Sequence, residues 1–407
     1  MDQKRIILID TWTKGVHLFS PYIDQFLQAG YEIELIHINS INKVSKDDNL
    51  RKDIKYVDLS FGGYQHVIDL FNSGQISLIL FLSLNSLFLE GMNLLAKEKG
   101  IPTVHIYHGL NSLVNWNYLT KTNQIISLNG LISRIQKNLK IFRIQTQLKP
   151  SNSSSLEVIK RAIRSSLQRL LTYLPHGNND SIHHTDFGIV YCKEDAEHMH
   201  ESYGVDPSCI FINGFPDLMS VPTNMTNKPC TNNVIYISTA LTDENIVFRS
   251  HDDYLDFLIK VKEDLNSLGY QLILKLKPHG KLYSSVKFLE NLDRNGITYF
   301  GRNFNLKYFE TCAFVLSEPS TYSIIPMFIK TRIGLVALEP LPRNIYGVFF
   351  SNYPYSFVYE DISDLRINIY SNRSDVVRWS EENFSKNGKP NYTKVVKSLL
   401  SSIHGKF

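Results

Sequence analysis

The feature that most constrains the fold is a regular alternation of short apolar runs with segments of helical periodicity. The β-branched run Ile6–Ile9 ends at Asp10, and after an amphipathic stretch a second apolar run follows at residues 32–38. The pattern repeats at Ile76–Leu82 and Thr103–Tyr107, with a helical segment between these two runs. Such alternation predicts an α/β fold whose parallel sheet is covered on both faces. Ligands of these sheets bind at the carboxyl ends of the strands, which makes the loops there the first places to look for a site.

The chain length predicts two domains of this kind. Its 407 residues exceed what one compact core usually accommodates. Residues 219–233, rich in Pro, Thr and Asn, predict a linker, and Val234–Ser238 begins a second series of strands and helices. We therefore expect a first domain over residues 1–218, a second over 234–385, and a terminal helical segment over 386–407.

Composition argues against several classes of protein. A net charge of only +4 gives no global electrostatic support to nucleic-acid binding. The four cysteines lack CxxC spacing, which is typical of a reducing compartment and not of a disulfide framework or a zinc knuckle. No apolar run is long enough for a signal peptide or a membrane span, so we expect a cytoplasmic protein. Paired histidines at 183–184 and at 198 and 200 lack the further ligands of a zinc site.

A basic helical insertion is expected over residues 131–175 of the first domain. Between residues 131 and 169, nine Lys and Arg residues stand against a single acid, Glu157. Leu and Ile recur at helical spacing on both sides of a polar break at residues 150–155. One interpretation is a pair of solvated helices. The other is an amphipathic hairpin that rests on an anionic membrane, here the inner face of the plasma membrane.

Two polar elements of the second domain follow predicted strands and suit an anion. Lys277, Pro278, His279 and Gly280 come directly after the run Leu272–Leu276, where a cation and an imidazole can stabilise a departing phosphate. An ordinary surface turn would have similar composition. About 40 residues further along the chain, a turn opens an apolar helix, where hydroxyl and backbone N–H groups can bind an anion or simply cap the helix; its polar residues are Glu318, Ser320, Thr321 and Ser323.

These two elements resemble the donor half of bacterial GT-B sialyltransferases, Kdo transferases and CDP-glycerol glycerophosphotransferases. The resemblance implies that His279 and the hydroxyl groups of Ser320, Thr321 and Ser323 hold the nucleotide phosphate. Gly280 departs from the pattern, because proline is usual at that place. The resemblance also implies two Rossmann-like domains facing across a cleft, no catalytic metal or other cofactor, and a C-terminal helix packed on the first domain.

The first domain offers a general base. His108 and Gly109 follow the strand Thr103–Tyr107, and the glycerophosphotransferases are similar in carrying a His-Gly pair there, where the histidine faces the acceptor hydroxyl. Imidazole has a suitable unperturbed pKa for removing that proton. Asp10 and His17, in the first strand-to-helix connection, are the rival bases, and a histidine that only caps the strand end is the structural alternative.

Three further residues are candidates for the cleft. Gly214 and Pro216 resemble the turn that closes the first domain of many GT-B enzymes, which implies a hinge. Glu339 follows the predicted strand Ile333–Ala337 and suits a ribose hydroxyl, although a plain surface charge is equally compatible with its position.

The sequence therefore predicts a metal-independent, inverting glycosyltransferase of O-antigen or capsule synthesis. Its partners would be a nucleotide-sugar donor, such as a CMP-sugar, and a saccharide or lipid-linked oligosaccharide acceptor. A CDP-polyol phosphotransferase of a teichoic-acid-like polymer shares nearly every residue named above. A nucleotide-sugar 2-epimerase would have the same fold, and a non-catalytic capsule export or binding component would bind nucleotide without turnover.

Overall fold

The protein divides into two compact units. The computed structural model describes residues 4–42, 50–84, 86–111, 114, 136, 139–141, 184–222, 224–239, 241, 247–278, 280–366, 373–383 and 388–406. The first unit comprises Met1–Leu110, Asn123–Asn213 and Asn391–Phe407, and the second comprises Asn111–Thr122 and Gly214–Pro390. The predicted insertion at 131–175 lies almost entirely outside the described residues.

The first unit is built on a seven-stranded parallel sheet with the order β3-β2-β1-β4-β5-β6-β7. Its central strands are continuous apolar runs because both faces of the sheet are covered. The strands are β1 (Arg5–Ile9), β2 (Glu32–His37), β3 (Lys55–Asp58), β4 (Ile76–Phe81), β5 (Thr103–Ile106), β6 (Phe187–Val190) and β7 (Ile210–Ile212).

Helices cover this sheet and include the last helix of the chain. They are α1 (Val16–Gln28), α2 (Asn39–Asn42), α3 (Gly63–Asn72), α4 (Leu87–Glu98), α5 (Lys193–Tyr203) and α13 (Tyr392–Lys406). Helix α13 packs on α1. Val395, Leu399 and Ile403 recur every four residues, so they form one apolar stripe that joins the core of the first unit.

The second unit repeats the design with a six-stranded parallel sheet of order β10-β9-β8-β11-β12-β13. The strands are β8 (Asn233–Ile237), β9 (Gln271–Lys275), β10 (Thr298–Phe300), β11 (Phe314–Ser317), β12 (Ile333–Val336) and β13 (Ser356–Tyr359). The helices are α6 (His251–Ser267), α7 (Lys281–Ser284), α8 (Val286–Arg294), α9 (Lys307–Thr311), α10 (Ile324–Phe328), α11 (Val348–Ser351) and α12 (Arg373–Asn383).

Both sheets share a strand order that fixes where polar loops meet. In each, the chain builds outward through three strands and then returns to the other side of the first. The order therefore reverses between β1 and β4 in the first unit and between β8 and β11 in the second. At such a switch point the two neighbouring loops diverge, which opens a crevice at the carboxyl ends of the strands. The predicted α/β fold with two Rossmann-like sheets is confirmed.

Residues 219–233 differ from the predicted linker. The Asn227 side chain donates hydrogen bonds to the backbone oxygens of Phe309 at 2.8 Å and of Cys312 at 3.2 Å, so this segment packs within the second unit. The chain instead passes between the units at residues 110–111, 122–123, 213–214 and 390–391.

Candidate functional site

Asp10 lies at the switch point of the first unit, directly after β1. Its side chain is only 7% exposed, and its Oδ1 accepts a hydrogen bond from the Thr11 N–H at 2.6 Å. Gly15, which precedes α1, allows this placement because a β-carbon there would overlap Asp10 Oδ2. Burial raises the pKa of Asp10 to about 7 and outweighs the hydrogen bonds that act in the opposite direction. The carboxyl can therefore exchange a proton near neutral pH.

His108 follows β5 and is held by the loop after β4. Its Nδ1 lies 2.9 Å from the backbone oxygen of Leu82. A carbonyl only accepts, so Nδ1 carries the proton and Nε2 keeps a free lone pair. Although the side chain reaches solvent, desolvation by the surrounding protein lowers the pKa of His108, with the Leu82 carbonyl acting in the opposite direction. Because desolvation is the larger effect, the net shift is downward, and at neutral pH the imidazole is neutral with Nε2 available as a base.

Leu82 brings the two candidate bases to one place. A β-carbon on Gly15, the residue against which Asp10 packs, would lie 3.3 Å from Leu82 Cδ1. The Leu82 carbonyl oxygen accepts a hydrogen bond from His108 Nδ1. Asp10 and His108 thus adjoin the same short segment after β4.

Two other histidines of the first unit, His17 and His105, differ in character. His17, on the first turn of α1, is exposed, and its Nδ1 is hydrogen bonded to the Lys14 carbonyl. His105 is 3% exposed and packs edge-on against Tyr107 and Tyr203, with ring centroids 5.2 and 4.8 Å away. Burial lowers the pKa of His105 to about 3, so it is a neutral core residue.

Glu318 organises the switch point of the second unit. It directly follows β11, has no exposed surface, and accepts hydrogen bonds from three donors. These are the hydroxyl groups of Tyr236 at 2.9 Å and Tyr254 at 2.8 Å, and the Thr239 N–H at 2.8 Å. The sequence places Glu318 among the donor-binding residues. Since its carboxylate is engaged inward, it instead fixes the loops after β8 and β11 against each other.

Glu318→Gln is expected to destabilise the second unit by roughly 2–4 kcal/mol. The glutamine amide would place an N–H₂ group against a buried hydrogen-bond donor, which would lose the carboxylate oxygen that now accepts from it. Thermal and urea unfolding of the two proteins measure this difference. Glu339→Gln, at an exposed position of the same unit, serves as the control and should change stability by less than about 0.5 kcal/mol. Equal unfolding midpoints for all three proteins would contradict the positioning role.

The turn after Glu318 contains one buried hydroxyl pair and two partly exposed hydroxyls. Ser323, which the sequence predicts to contact the nucleotide donor, has no exposed surface. Its Oγ lies 2.5 Å from Ser317 Oγ, so its hydroxyl group instead holds the turn. Ser320 caps the following turn of helix, accepting from the Tyr322 N–H at 3.3 Å. Ser320 and Thr321 are both half-buried. Their hydroxyls are the ones a ligand can reach.

Lys275, the last residue of β9, adds a buried cation beside this turn. It is 5% exposed, and its Nζ donates to the Leu276 carbonyl at 2.8 Å. The same Nζ lies 4.5 Å from the ring centroid of Tyr322 and 5.9 Å from that of Phe304. Burial lowers the pKa of Lys275 to about 8, and Asp217 opposes this shift. The amine therefore remains mostly protonated at pH 7.

The remaining residues predicted to bind the nucleotide donor differ in exposure. Lys277 and Glu339 are exposed after β9 and β12, and Gly280 is buried at the start of α7. His279 lies outside the described residues.

The Gly214 turn lies where the chain passes from one unit to the other. Gly214 has a φ of 88°, and a β-carbon there would lie 2.7 Å from the Gly388 carbonyl, so only glycine suits the position. The Phe215 N–H donates to that same carbonyl at 2.9 Å. Pro216 is exposed and begins a 3₁₀ helix over Pro216–Ser220. Whether the turn moves as a hinge stays a prediction.

Two kinds of feature are absent from the described part of the chain. No group of three or more His, Cys, Asp or Glu side chains in the described ranges is placed to hold a metal ion. None of the helices described is long and apolar enough to cross a membrane.

Comparison with known proteins gives a result for structure alone. No protein-family model matches the sequence, and no curated protein sequence matches it. Among solved structures, the chain is similar to CalG4, the calicheamicin glycosyltransferase, with a TM-score of 0.52, 9% identity, and coverage of 100% of this chain and 99% of that one. The chain has the GT-B fold.

Two further GT-B structures resemble the chain. The wall teichoic acid polymerase TagF has a TM-score of 0.49 and 12% identity, with 100% of this chain and 90% of that chain covered. The glycosyltransferase SnogD from Streptomyces nogalater has a TM-score of 0.47 and 10% identity, with coverage of 99% and 100%.

Lys275 and Asp217 are candidate site residues that the sequence analysis did not single out. Lys275 interrupts the apolar run Leu272–Leu276, and a charge inside a buried strand is the signal that could have found it. The sequence gives a weaker indication for Asp217, because a single acidic residue in a turn is common. Burial raises the pKa of Asp217, and Lys275 acts in the opposite direction.

Proposed function

We propose that the chain is a glycosyltransferase that moves a sugar from a nucleotide-activated donor to a saccharide acceptor. The observation that carries the proposal is the different chemistry of the two switch points of the GT-B fold. In the first unit a neutral imidazole and a carboxyl adjoin one segment, as proton removal requires. In the second unit a buried ammonium lies beside a hydroxyl-bearing turn, as suits a phosphate.

The proposed reaction divides these roles between the units. His108 Nε2, or Asp10 as its rival, removes the proton of the acceptor hydroxyl. Lys275, Ser320 and Thr321, with His279 added by the sequence resemblance, stabilise the negative charge that grows on the leaving nucleotide phosphate. Direct attack by the hydroxyl inverts the anomeric centre, and these cations and hydroxyls provide the charge stabilisation without a metal.

The cellular setting is proposed from the sequence resemblance. Sialyltransferases and Kdo transferases build bacterial surface polysaccharides, which supports a role in O-antigen or capsule synthesis with a CMP-sugar as donor. The basic residues 131–169 support attachment to the inner face of the plasma membrane, where lipid-linked acceptors reside.

The donor half is tested by thermal stabilisation with CMP, CDP, UDP, GDP and ADP. One nucleotide is expected to raise the unfolding temperature by preferential binding to the folded state, and the corresponding sugar nucleotides then enter a transfer assay. No shift with any nucleotide would remove the basis of the proposal. A shift without transfer to any acceptor would favour a binding component.

Lys275→Met is expected to weaken binding of that nucleotide by about 10- to 100-fold, because a charge-assisted contact is lost while the side-chain volume is kept. Calorimetric titration measures the change. Lys260→Met, an exposed lysine of α6, is the matched control and should bind as wild type does. Equal affinity of Lys275→Met and wild type would place the phosphate elsewhere.

A further inference from the structure

Trp12 is an exposed aromatic side chain close in sequence to Asp10, one of the candidate bases of the first unit. It lies between β1 and α1, two residues after Asp10, and is 43% exposed. Of the side chains whose burial is described, the other large exposed hydrophobics are all aliphatic. An indole carries a large apolar surface, so leaving it in water forgoes the burial that normally places tryptophan in a core.

Hydrogen bonds fix the backbone on both sides of Trp12. The Thr13 N–H donates to Asn39 Oδ1 at 2.9 Å, and Asn39 Nδ2 donates back to Thr13 Oγ1 at 2.8 Å. Thr13 and Asn39 are both buried, being 3% and 6% exposed. On the other side, the Thr11 N–H donates to Asp10 Oδ1 at 2.6 Å. The indole is therefore presented from a rigid loop, which lowers the entropic cost of binding against it.

The indole is also directed by its polar edge. Burial raises the pKa of Asp10, and hydrogen bonds from Thr11 and from the Trp12 side chain act against that rise. The indole N–H is the only hydrogen-bond donor of a tryptophan side chain, so this interaction brings the ring beside the Asp10 carboxyl. The exposed indole therefore lies next to a carboxyl group.

This pairing complements one class of molecule. A pyranose in the chair form carries a patch of axial C–H groups on a ring face and hydroxyl groups around its rim. The C–H patch packs on an aromatic face, where weak C–H contacts add to apolar burial. A hydroxyl at the rim can donate to a carboxyl beside that face.

We propose that Trp12 and Asp10 form a saccharide subsite in which an acceptor pyranose lies on the indole face and donates one hydroxyl to Asp10. This rests on the proposed function, because it assigns the place of the acceptor in the first unit. It also restricts the acceptor to a ring with contiguous axial C–H groups. An open-chain polyol such as glycerol offers no such face.

The test is fluorescence titration of the full chain with methyl β-glucoside, methyl β-galactoside and a panel of bacterial O-antigen oligosaccharides, with glycerol as the open-chain control. Wild type is expected to change its tryptophan emission with a pyranoside of the panel and not with glycerol. Trp12→Ala should bind that saccharide about 10-fold more weakly by calorimetry. Trp12→Phe should retain most of the affinity while losing the emission change, because it keeps a flat ring without the indole.

A matched control and a parallel nucleotide titration separate the possible outcomes. Ile212→Ala, at an exposed apolar position of the same unit, should bind as wild type does. Unchanged affinity in Trp12→Ala would overturn the subsite. So would a wild-type protein that binds nucleotide but no saccharide of the panel, and this would leave the donor half standing. Saccharide binding through Trp12 without any nucleotide binding would support the subsite and overturn the proposed transfer.

Discussion

Replacement of His108 by glutamine is expected to lower the kcat of sugar transfer by about 10²- to 10⁴-fold, the usual contribution of a positioned general base. Glutamine keeps an N–H that can donate to the Leu82 carbonyl but removes the basic ring nitrogen. Binding of the donor nucleotide should not change, because its proposed contacts lie in the second unit. Steady-state kinetics and calorimetry on one preparation measure both quantities. His404→Gln, an exposed histidine of α13 in the same unit, is the matched control.

The pH profile of the wild-type enzyme distinguishes the rival bases. A base must be unprotonated to act, so activity falls on the acid side as the pH drops through its pKa. Desolvation lowers the pKa of His108 below the ordinary 6.5, which predicts an acid limb of kcat below that value. Burial raises the pKa of Asp10 to about 7, so an Asp10 base would place the limb near pH 7. Full activity of His108→Gln would show that His108 is not the base, and a limb near pH 7 would assign the base to Asp10.

The central strands followed from the sequence, and the edge strands β3 and β13 did not. Runs such as Ile76–Leu82 are apolar throughout because both faces are buried, and that pattern is unambiguous. Strands β3 (Lys55–Asp58) and β13 (Ser356–Tyr359) lie at the edges of their sheets and mix polar with apolar residues. Four residues of mixed character carry no periodicity that separates a strand from a loop.

The placement of the candidate side chains at strand ends was predictable, and their burial was less so. Strand ends located Asp10, His108 and the turn after β11, since parallel strands align their carboxyl ends. Lys275 and Lys277 are two residues apart and share one face of a strand, so the sequence could not decide which is buried. In the structure the strand ends at Lys275, and of the two lysines only Lys275 is buried.

Glu318 shows a second limit of sequence reasoning. Its inward orientation depends on the hydroxyl groups of Tyr236 and Tyr254, which lie 82 and 64 residues away along the chain. No local pattern could reveal that pairing. A polar residue after a strand can therefore be located from sequence before it can be assigned to ligand contact or to support.

Replacement of Asp10 by asparagine is expected to stabilise the first unit at neutral and alkaline pH. The pKa of Asp10 is raised by burial from 3.8 to about 7, so the folded state holds a proton that the unfolded chain releases near pH 4. The stability from this proton is complete below pH 4 and is lost as the pH rises through about 7. At pH 8 the buried charge costs about 4 kcal/mol, a cost that neutral asparagine avoids.

Thermal unfolding of both proteins between pH 4 and pH 8 measures this effect. The midpoint of Asp10→Asn should exceed that of wild type by roughly 10 °C at pH 8 and by little at pH 4. Asp69→Asn, an exposed carboxyl on α3 of the same unit, reports the effect of losing a surface charge. A difference of the same size at both pH values would show that ionisation of Asp10 is not its source.

The gain in stability should accompany a loss of function. Asparagine offers no group that can take up a proton, and its amide presents a donor where the saccharide hydroxyl needs an acceptor. Saccharide affinity and transfer should therefore fall in the variant whose unfolding temperature rises. A carboxyl that destabilises the fold at the working pH is expected to contribute to function through what it binds or deprotonates. In such a residue, a substitution raises the unfolding temperature and lowers affinity and transfer.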